Sequence, residues 1–367
     1  MLYRRAPALI GYWEEGALTV SNYLRRTRVL VDGPALAILQ SLSSWRDERE
    51  IERECGDLPR RVVRDTLSRL HASGLVENPV DTISGRLDSW SDWSPSAACF
   101  HFGTKDVSYA DGVLAARRVE RRLLVDPPPR AERSEPSVRL PAYRSRGQFP
   151  DVLLSRRTWR RFGRRPLTAE QLSMLLGLTW RTQKWMHVRD GLKVPLKTSP
   201  SGGACHSLEV YVVVERAKGL AAGTYRYLPD THGLAPVPGS WPARQWPADL
   251  GGQAWTADAA GLFVVSSVFP RVQWKYKSPR AYRTILLEAG HVCQTFCLVA
   301  TWLGLAPFST AAFADTRIER RLGLDGINES VLYVMGVGNR PPGAAWAPWP
   351  DTKAVPRTAA PRRRSST

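Results

Sequence analysis

Three stretches of this sequence carry residues able to do chemistry. In WKYKSPRAYRTILLEAGH, residues 274–291, Lys275 and Tyr276 stand side by side just ahead of an apolar run. Each can take or give a proton, though the same residues also read as a solvated loop before a buried helix. In SRRTWRRF, residues 155–162, arginines crowd around Thr158. Guanidinium groups beside a hydroxyl suit a phosphate monoester, through charge-assisted hydrogen bonds; a solvated charged turn is the plainer reading. In TSPSGGACHSLEVYVVV, residues 198–214, Pro200, Ser201, Gly202 and Gly203 precede a β-branched run. Glycine has no Cβ, so this backbone can lie close against a flat ligand, or simply turn. Neither a G-x-G-x-x-G pattern nor a Walker loop occurs, so a phosphate held here is not gripped in the Rossmann manner.

The elements that must position these residues follow from periodicity. Thr168 and Gln171 fit a capping box ahead of LSMLL. SLEVYVVVE and GLFVVSSVF read as buried strands, and GTYRYLPDTHGLAPV as an edge hairpin around a Pro-Asp turn. From Arg283 to Leu303, Ala289, Val292, Cys293, Phe296, Cys297 and Ala300 make a helical stripe that Gly304 ends. Asp315 is placed to cap a short helix, and SVLYVMGVG is a last strand. The expected fold is α+β with a mixed or antiparallel sheet. His291, on that apolar helix without a second ligand nearby, reads as a hydrogen-bonded core histidine; no metal is expected.

Ahead of this unit, residues 34–77 read as helix, turn, helix and strand, with Pro59 at a first helical position and Gly74 closing the last helix. That order resembles a winged helix-turn-helix. Arg60, Arg61, Arg64 and Arg69 would suit phosphates or an acidic peptide, or form a solvated face. The expected organisation is a winged-helix-like module over 1–80, an irregular Pro/Ser/Arg-rich linker over 81–148, the α+β unit over 149–340, and a flexible basic tail over 341–367.

Lysines and arginines number 52 against 34 acids, a formal charge of +18. Such an excess draws acidic partners without fixing a fold. Nucleic acid is a minor expectation. Five cysteines without a C-x-x-C pair suggest free thiols in a reducing cytoplasm. The N-terminus lacks a signal-peptide pattern, and the apolar stretch near 295–308 is shorter than the roughly 20 residues a membrane span needs.

Taken together, the 155–162, 166–176, 199–214, 223–234, 274–305 and 322–338 blocks closely resemble the SagB-type dehydrogenases. These are a branch of the FMN-dependent nitroreductase-like superfamily, found in the maturation of ribosomally made peptides. The resemblance covers about residues 150–340 and implies a nitroreductase-like fold in an intertwined homodimer. It implies that Arg156, Arg157, Thr158 and Arg160 hold the FMN phosphate and ribityl chain, with Arg340 a late phosphate contact. Pro200, Ser201, Gly202 and Gly203 would lie against the isoalloxazine of a partner subunit, and Thr310 and Ala311 would approach its other edge. Lys275 and Tyr276 stand where such enzymes carry a catalytic Lys-Tyr pair. Thr158 replaces a usual serine, Ser207 a usual proline, and Ala311 and Ala312 usual glycines, which weakens the match in those loops.

The implied activity is oxidation of thiazoline or oxazoline rings to azoles, with O2 reoxidising the flavin. Burial beside the arginines would lower the lysine pKa, fitting it to take the proton from Cα. The N-terminal module would grip a leader peptide or a partner cyclase. Three alternatives stand: an NAD(P)H-linked flavin reductase of dehydroamino acids, a winged-helix DNA-binding redox regulator, and a flavin-free scaffold.

Overall fold

The computed structural model describes residues 1–81, 84–106, 146–187 and 193–343. The N-terminal unit begins with β1 (Leu2–Arg5), then the antiparallel meander β2 (Leu9–Glu14), β3 (Ala17–Asn22) and β4 (Thr27–Leu30). This meander is not anticipated from the sequence. α1 (Gly33–Ser41), β5 (Arg46–Asp47), α2 (Glu48–Glu54), α3 (Arg60–Ala72) and β6 (Val76–Glu77) follow. Asp32 caps α1, and Asp47 with Glu50 forms a capping box on α2. Val63, Leu67 and Leu70 of α3 pack with Ile38, Leu39 and Leu42 of the α1 segment. Pro59 is the N-cap of α3 rather than its first helical residue. β6 pairs antiparallel with β1, Arg4 opposite Glu77, so the strand after α3 joins the chain's start.

The segment expected to be irregular is corrected in part. Ser84–Trp93 forms 3-10 turns and runs into α4 (Ser94–Gly103). Trp90, Trp93 and Phe102 are buried with Tyr23 of the N-terminal unit and Phe269 and Tyr282 of the second unit. The rest of that expected linker from 107 to 145, and the tail beyond 343, lie outside the described residues.

The second unit comprises α5 (Gln148–Ser155), α6 (Ala169–Thr179), β7 (Lys184–His187), β8 (Lys193–Leu196), β9 (Leu208–Val214), β10 (Gly223–Leu228), β11 (Gly233–Val237), α7 (Trp246–Asp249), β12 (Gly261–Val268), α8 (Phe269–Gln273), α9 (Ala281–Trp302), β13 (Leu305–Thr310), α10 (Asp315–Leu322) and β14 (Glu329–Asn339). Its main sheet has the order β11-β10-β9-β12-β14-β13, with antiparallel pairing throughout. Every residue of β9 is buried, because alternate side chains enter different cores. Val210, Val212 and Val214 pack toward Ile285, Val292 and Phe296 of α9, while Tyr211 and Val213 pack toward Trp246, Ile318 and Leu322. At Gly336 a Cβ would collide with the Phe308 ring, so glycine lets β13 and β14 close over that ring.

α9 begins two residues earlier than expected and is closed, after its Leu303 C-cap, by Gly304 at φ +70°. By length and composition it could cross a bilayer, yet half of that stretch is buried in the protein's own core. The Thr168–Gln171 capping box is present on α6. Asp315 is the first residue of α10, not its cap, which is Ala314.

Candidate active site

The loop between α8 and α9 carries Lys275 and Tyr276. Their backbone N–H groups both bond to Val272 O, tying the loop to the end of α8. The 198–206 stretch runs along α9 in the opposite direction. Ser199 Oγ is 2.7 Å from Thr295 Oγ1, Pro200 O is 3.3 Å from His291 Nδ1, and Ser201 Oγ donates to Glu288 Oε2 at 2.8 Å. The stretch then reaches the catalytic candidates. Lys275 Nζ donates to Gly203 O at 2.9 Å, and Tyr276 Oη lies where a Cβ on residue 203 would stand. Gly203 adopts φ 62°, ψ 22°, a left-handed conformation that glycine takes without a Cβ penalty. The pair and the glycine loop, 72 residues apart in sequence, thus form one site.

Buried polar groups support this loop from behind. Glu288 is 5 % exposed, and its carboxyl is pushed up, first by burial, against the opposing hydrogen bond from Ser201. Ser201 Oγ also accepts from His206 N at 2.9 Å. His206 is lowered to about 4, by burial and then by the Lys197 charge, and Lys197 is itself lowered by burial. His206 O accepts from Arg271, whose guanidinium pairs with Glu209 at 2.6 Å. The sequence reading of His291 is corrected: the side chain is exposed and reaches the loop at Pro200, because its helix position points away from the core stripe. Lys275 is also exposed, so its own chain does not supply the burial expected of it.

The arginine block forms a second group. It follows α5, and Trp159 N donates to Pro307 O of β13 at 2.9 Å. Arg157 bonds back to Leu154 O and Arg156 O, each at 2.8 Å. Arg156 helps to lower the thiol of Cys293, whose main cause is the hydrogen bond with Cys297. Arg160 lies over the Trp255 ring at 5.8 Å and is lowered by burial. Thr310 Oγ1 accepts from Gln253 Nε2 and from Ala312 N, at 2.8 and 3.0 Å, beside a cleft of about 510 Å³ that includes Gly251, Gly252 and Phe313. Arg340 lies 5.4 Å from the Trp159 ring and donates to Leu305 O and Thr301 O.

Arg156 acts on Cys293 in the middle of α9, whereas Gly202 and Arg340 lie toward its two ends. Gly202 abuts Thr284 near the helix start, and Arg340 reaches Thr301 near its end. Seventeen residues at 1.5 Å each separate them by about 25 Å along the axis.

The donor set of the arginine block fits the phosphate end of FMN. Arg156, Arg157 and Arg160 with the Thr158 hydroxyl match a phosphate monoester, and Gly202 and Gly203 bring the loop backbone close against Thr284, Lys275 and Tyr276 of the same chain. Among the described residues no cluster of His, Cys, Asp and Glu could hold a metal.

On α3, Arg60, Arg61, Arg64 and Arg69 face acids rather than open solvent alone. Glu52, Asp65, Glu48 and Asp32 stand 3.4–3.9 Å from them. Exposed pairs contribute little stability, but they neutralise the face a phosphate backbone would use.

Comparison with known proteins bears on the second unit. The Nitroreductase family model matches residues 153–339. MJ1384 of Methanocaldococcus jannaschii, named as a nitroreductase, is 32% identical over 193 residues, which cover 53% of this chain and 91% of that protein. The Microcin B17-processing protein McbC of Escherichia coli is 30% identical over 145 residues, covering 38% of this chain and 53% of McbC. In solved structures, the E. coli microcin synthetase McbBCD complex with truncated pro-MccB17 bound matches with TM-score 0.51 at 20% identity, over 69% of this chain and 97% of that one. That last likeness is one of fold.

Proposed function

Because the chain belongs to the nitroreductase family, we propose that it is a SagB-type, FMN-dependent dehydrogenase of peptide maturation, oxidising azoline rings to azoles. The observation that carries this reading is the convergence of Lys275 Nζ and Tyr276 Oη on Gly203, at the end of the loop suited to a flat ring. The likeness to McbC, a processing protein for a peptide, supports a peptide substrate.

FMN, when bound, would supply the hydride acceptor, with O2 as the terminal oxidant. The chain's own residues do the rest. Arg156, Arg157, Thr158 and Arg160 would hold the phosphate and ribityl chain, with Arg340 set over the Trp159 ring. Thr310 and Ala311, and the Pro200, Ser201, Gly202 and Gly203 loop, would contact the flavin ring. Lys275 Nζ takes the proton from the azoline Cα, which the neighbouring carbonyl and C=N acidify. Tyr276 Oη orients that ammonium or passes the proton on.

The site is shared between two copies. The apolar surface left on α5 and α9 supports this. Phe149, Leu153 and Leu154 of α5 and Leu286 and Leu287 of α9 are exposed, and Gly290 has open space above it. A second copy laid there would bury Lys275 near the partner's arginines. The winged-helix-like module of 1–80 would hold a leader peptide or a partner cyclase, and its self-paired α3 face speaks against duplex DNA. The free thiols of all five cysteines suit a cytoplasmic setting.

The test is a reaction of the FMN-loaded protein with a thiazoline peptide in air, read by mass spectrometry. Loss of two hydrogens per ring is expected. An unchanged azoline, together with NADPH-driven reduction of a dehydroalanine peptide, would replace this reading by that of a reductase.

A further inference from the structure

The Ser84–Trp93 turns lie outside the nitroreductase match and take no part in the chemistry above, yet they touch its centre. Trp93 is fully buried, and its indole Nε1–H donates to the Tyr276 carbonyl at 3.0 Å. Indole N–H can only donate, and a backbone carbonyl is an obligatory acceptor, so this bond has one direction and a clear purpose. The ring itself is held by Phe269 at 6.2 Å and Tyr282 at 6.0 Å, edge-on to both. Those two residues begin α8 and α9, the helices on either side of the catalytic loop. Next to it, Asp92 accepts from Lys277 Nζ at 2.6 Å, an exposed and therefore weaker tether on the same loop.

We propose that Trp93 is a positioning residue for the Lys275–Tyr276 pair, reaching the catalytic loop from the segment that precedes the flavin-binding unit. This rests on the catalytic reading of that pair. Val272 O holds the amides of Lys275 and Tyr276 from the α8 side, and Trp93 holds the Tyr276 carbonyl from the opposite side. With both peptide groups of Tyr276 fixed, its Oη and the neighbouring Lys275 Nζ are directed at Gly203. The anchoring segment is in turn seated on the N-terminal unit: Tyr23 stacks on Phe102 at 6.4 Å, and Arg26 pairs with Asp106 at 2.8 Å.

The experiment uses the full FMN-loaded chain and the conservative variant Trp93→Phe, which keeps a buried ring and removes the donor. Trp90→Phe is the control. Trp90 is in the same segment and also loses a buried indole bond, but that bond goes to Ile327 O, away from the loop. Trp93→Phe is expected to lower kcat about tenfold with unchanged KM and flavin content, while Trp90→Phe keeps wild-type kcat at a comparable loss of Tm. Equal kcat values in the two variants overturn the proposal. Hydrogen exchange of the 274–278 amides in flavin-free protein gives a readout independent of the chemistry. Faster exchange in Trp93→Phe than in Trp90→Phe supports the anchor, and equal exchange overturns it. If Lys275→Ala retains full turnover, the catalytic reading fails, and the exchange result alone then decides whether Trp93 fixes the loop.

Discussion

Gly203→Ala should separate folding from catalysis. A Cβ at this position would meet Tyr276 Oη and stand 2.8 Å from Lys275 Nζ and 3.0 Å from its Cε. Ordinary carbon contacts lie near 3.5–4.0 Å, so both side chains must retreat by on the order of 1 Å. Alanine at φ 62° adds about 1–2 kcal/mol of backbone strain. Spread over a chain of this size, that strain lowers Tm by only a few degrees. A 1 Å misplacement of reacting groups can instead cost about 10²-fold in rate. The variant should therefore purify yellow, melt within a few degrees of the parent, and oxidise an azoline peptide about a hundredfold more slowly. The assay is kcat at saturating peptide, beside flavin content and a thermal melt. Turnover within twofold of the parent would refute the argument that Lys275 and Tyr276 act from the positions they hold against Gly203.

Other expectations follow from the same geometry. Arg156→Ala removes a charge-assisted phosphate contact worth about 1.5–3 kcal/mol, so FMN should bind about 10–100-fold more weakly in a fluorescence titration. If the site is shared, Arg156→Ala and Lys275→Ala chains, each inactive at limiting FMN, should regain about a quarter of parental activity when co-expressed. Half of the dimers would then be mixed, each with one intact site of two, and no recovery would mean that the site is not shared. Buried His101, lowered to about 3 by burial and then by Lys105, binds its proton more readily when unfolded. Between pH 6.5 and about 3 the unfolded state therefore holds the extra proton, and stability falls as pH falls, by about 1.4 kcal/mol per unit for one such group. Asp315, raised to about 6 by burial, opposes this between pH 3.8 and 6. Urea unfolding across this range should show His101→Gln with a flatter acid limb than the parent.

What the sequence discloses is mostly local. The Thr168–Gln171 capping box, the hairpin around Pro229 and Asp230, the β-branched runs of β9 and β12 and the stripe of α9 each depend on neighbours within a few residues. What it hides is non-local. Composition marks 84–103 as connector, because nothing in a Ser/Trp-rich string says that Trp90 and Trp93 will meet Phe269 and Tyr282. The arginines of α3 look available until folding brings Glu48 and Glu52 of α2 against them. His291 reads as core because it follows an apolar run, yet its turn of α9 faces Pro200. Lys275 and Tyr276 were identifiable beside a helix; their glycine partner became legible as theirs only through the fold.

The proposed chemistry withdraws two electrons from an azoline peptide while Lys275 removes the proton. FMN-loaded protein mixed with a thiazoline peptide in the absence of oxygen, with the yellow absorption band followed in time, isolates that step. The band should bleach at a rate lost in Lys275→Ala and return when air is admitted. A band that stays yellow with the peptide but bleaches with NADPH would contradict it.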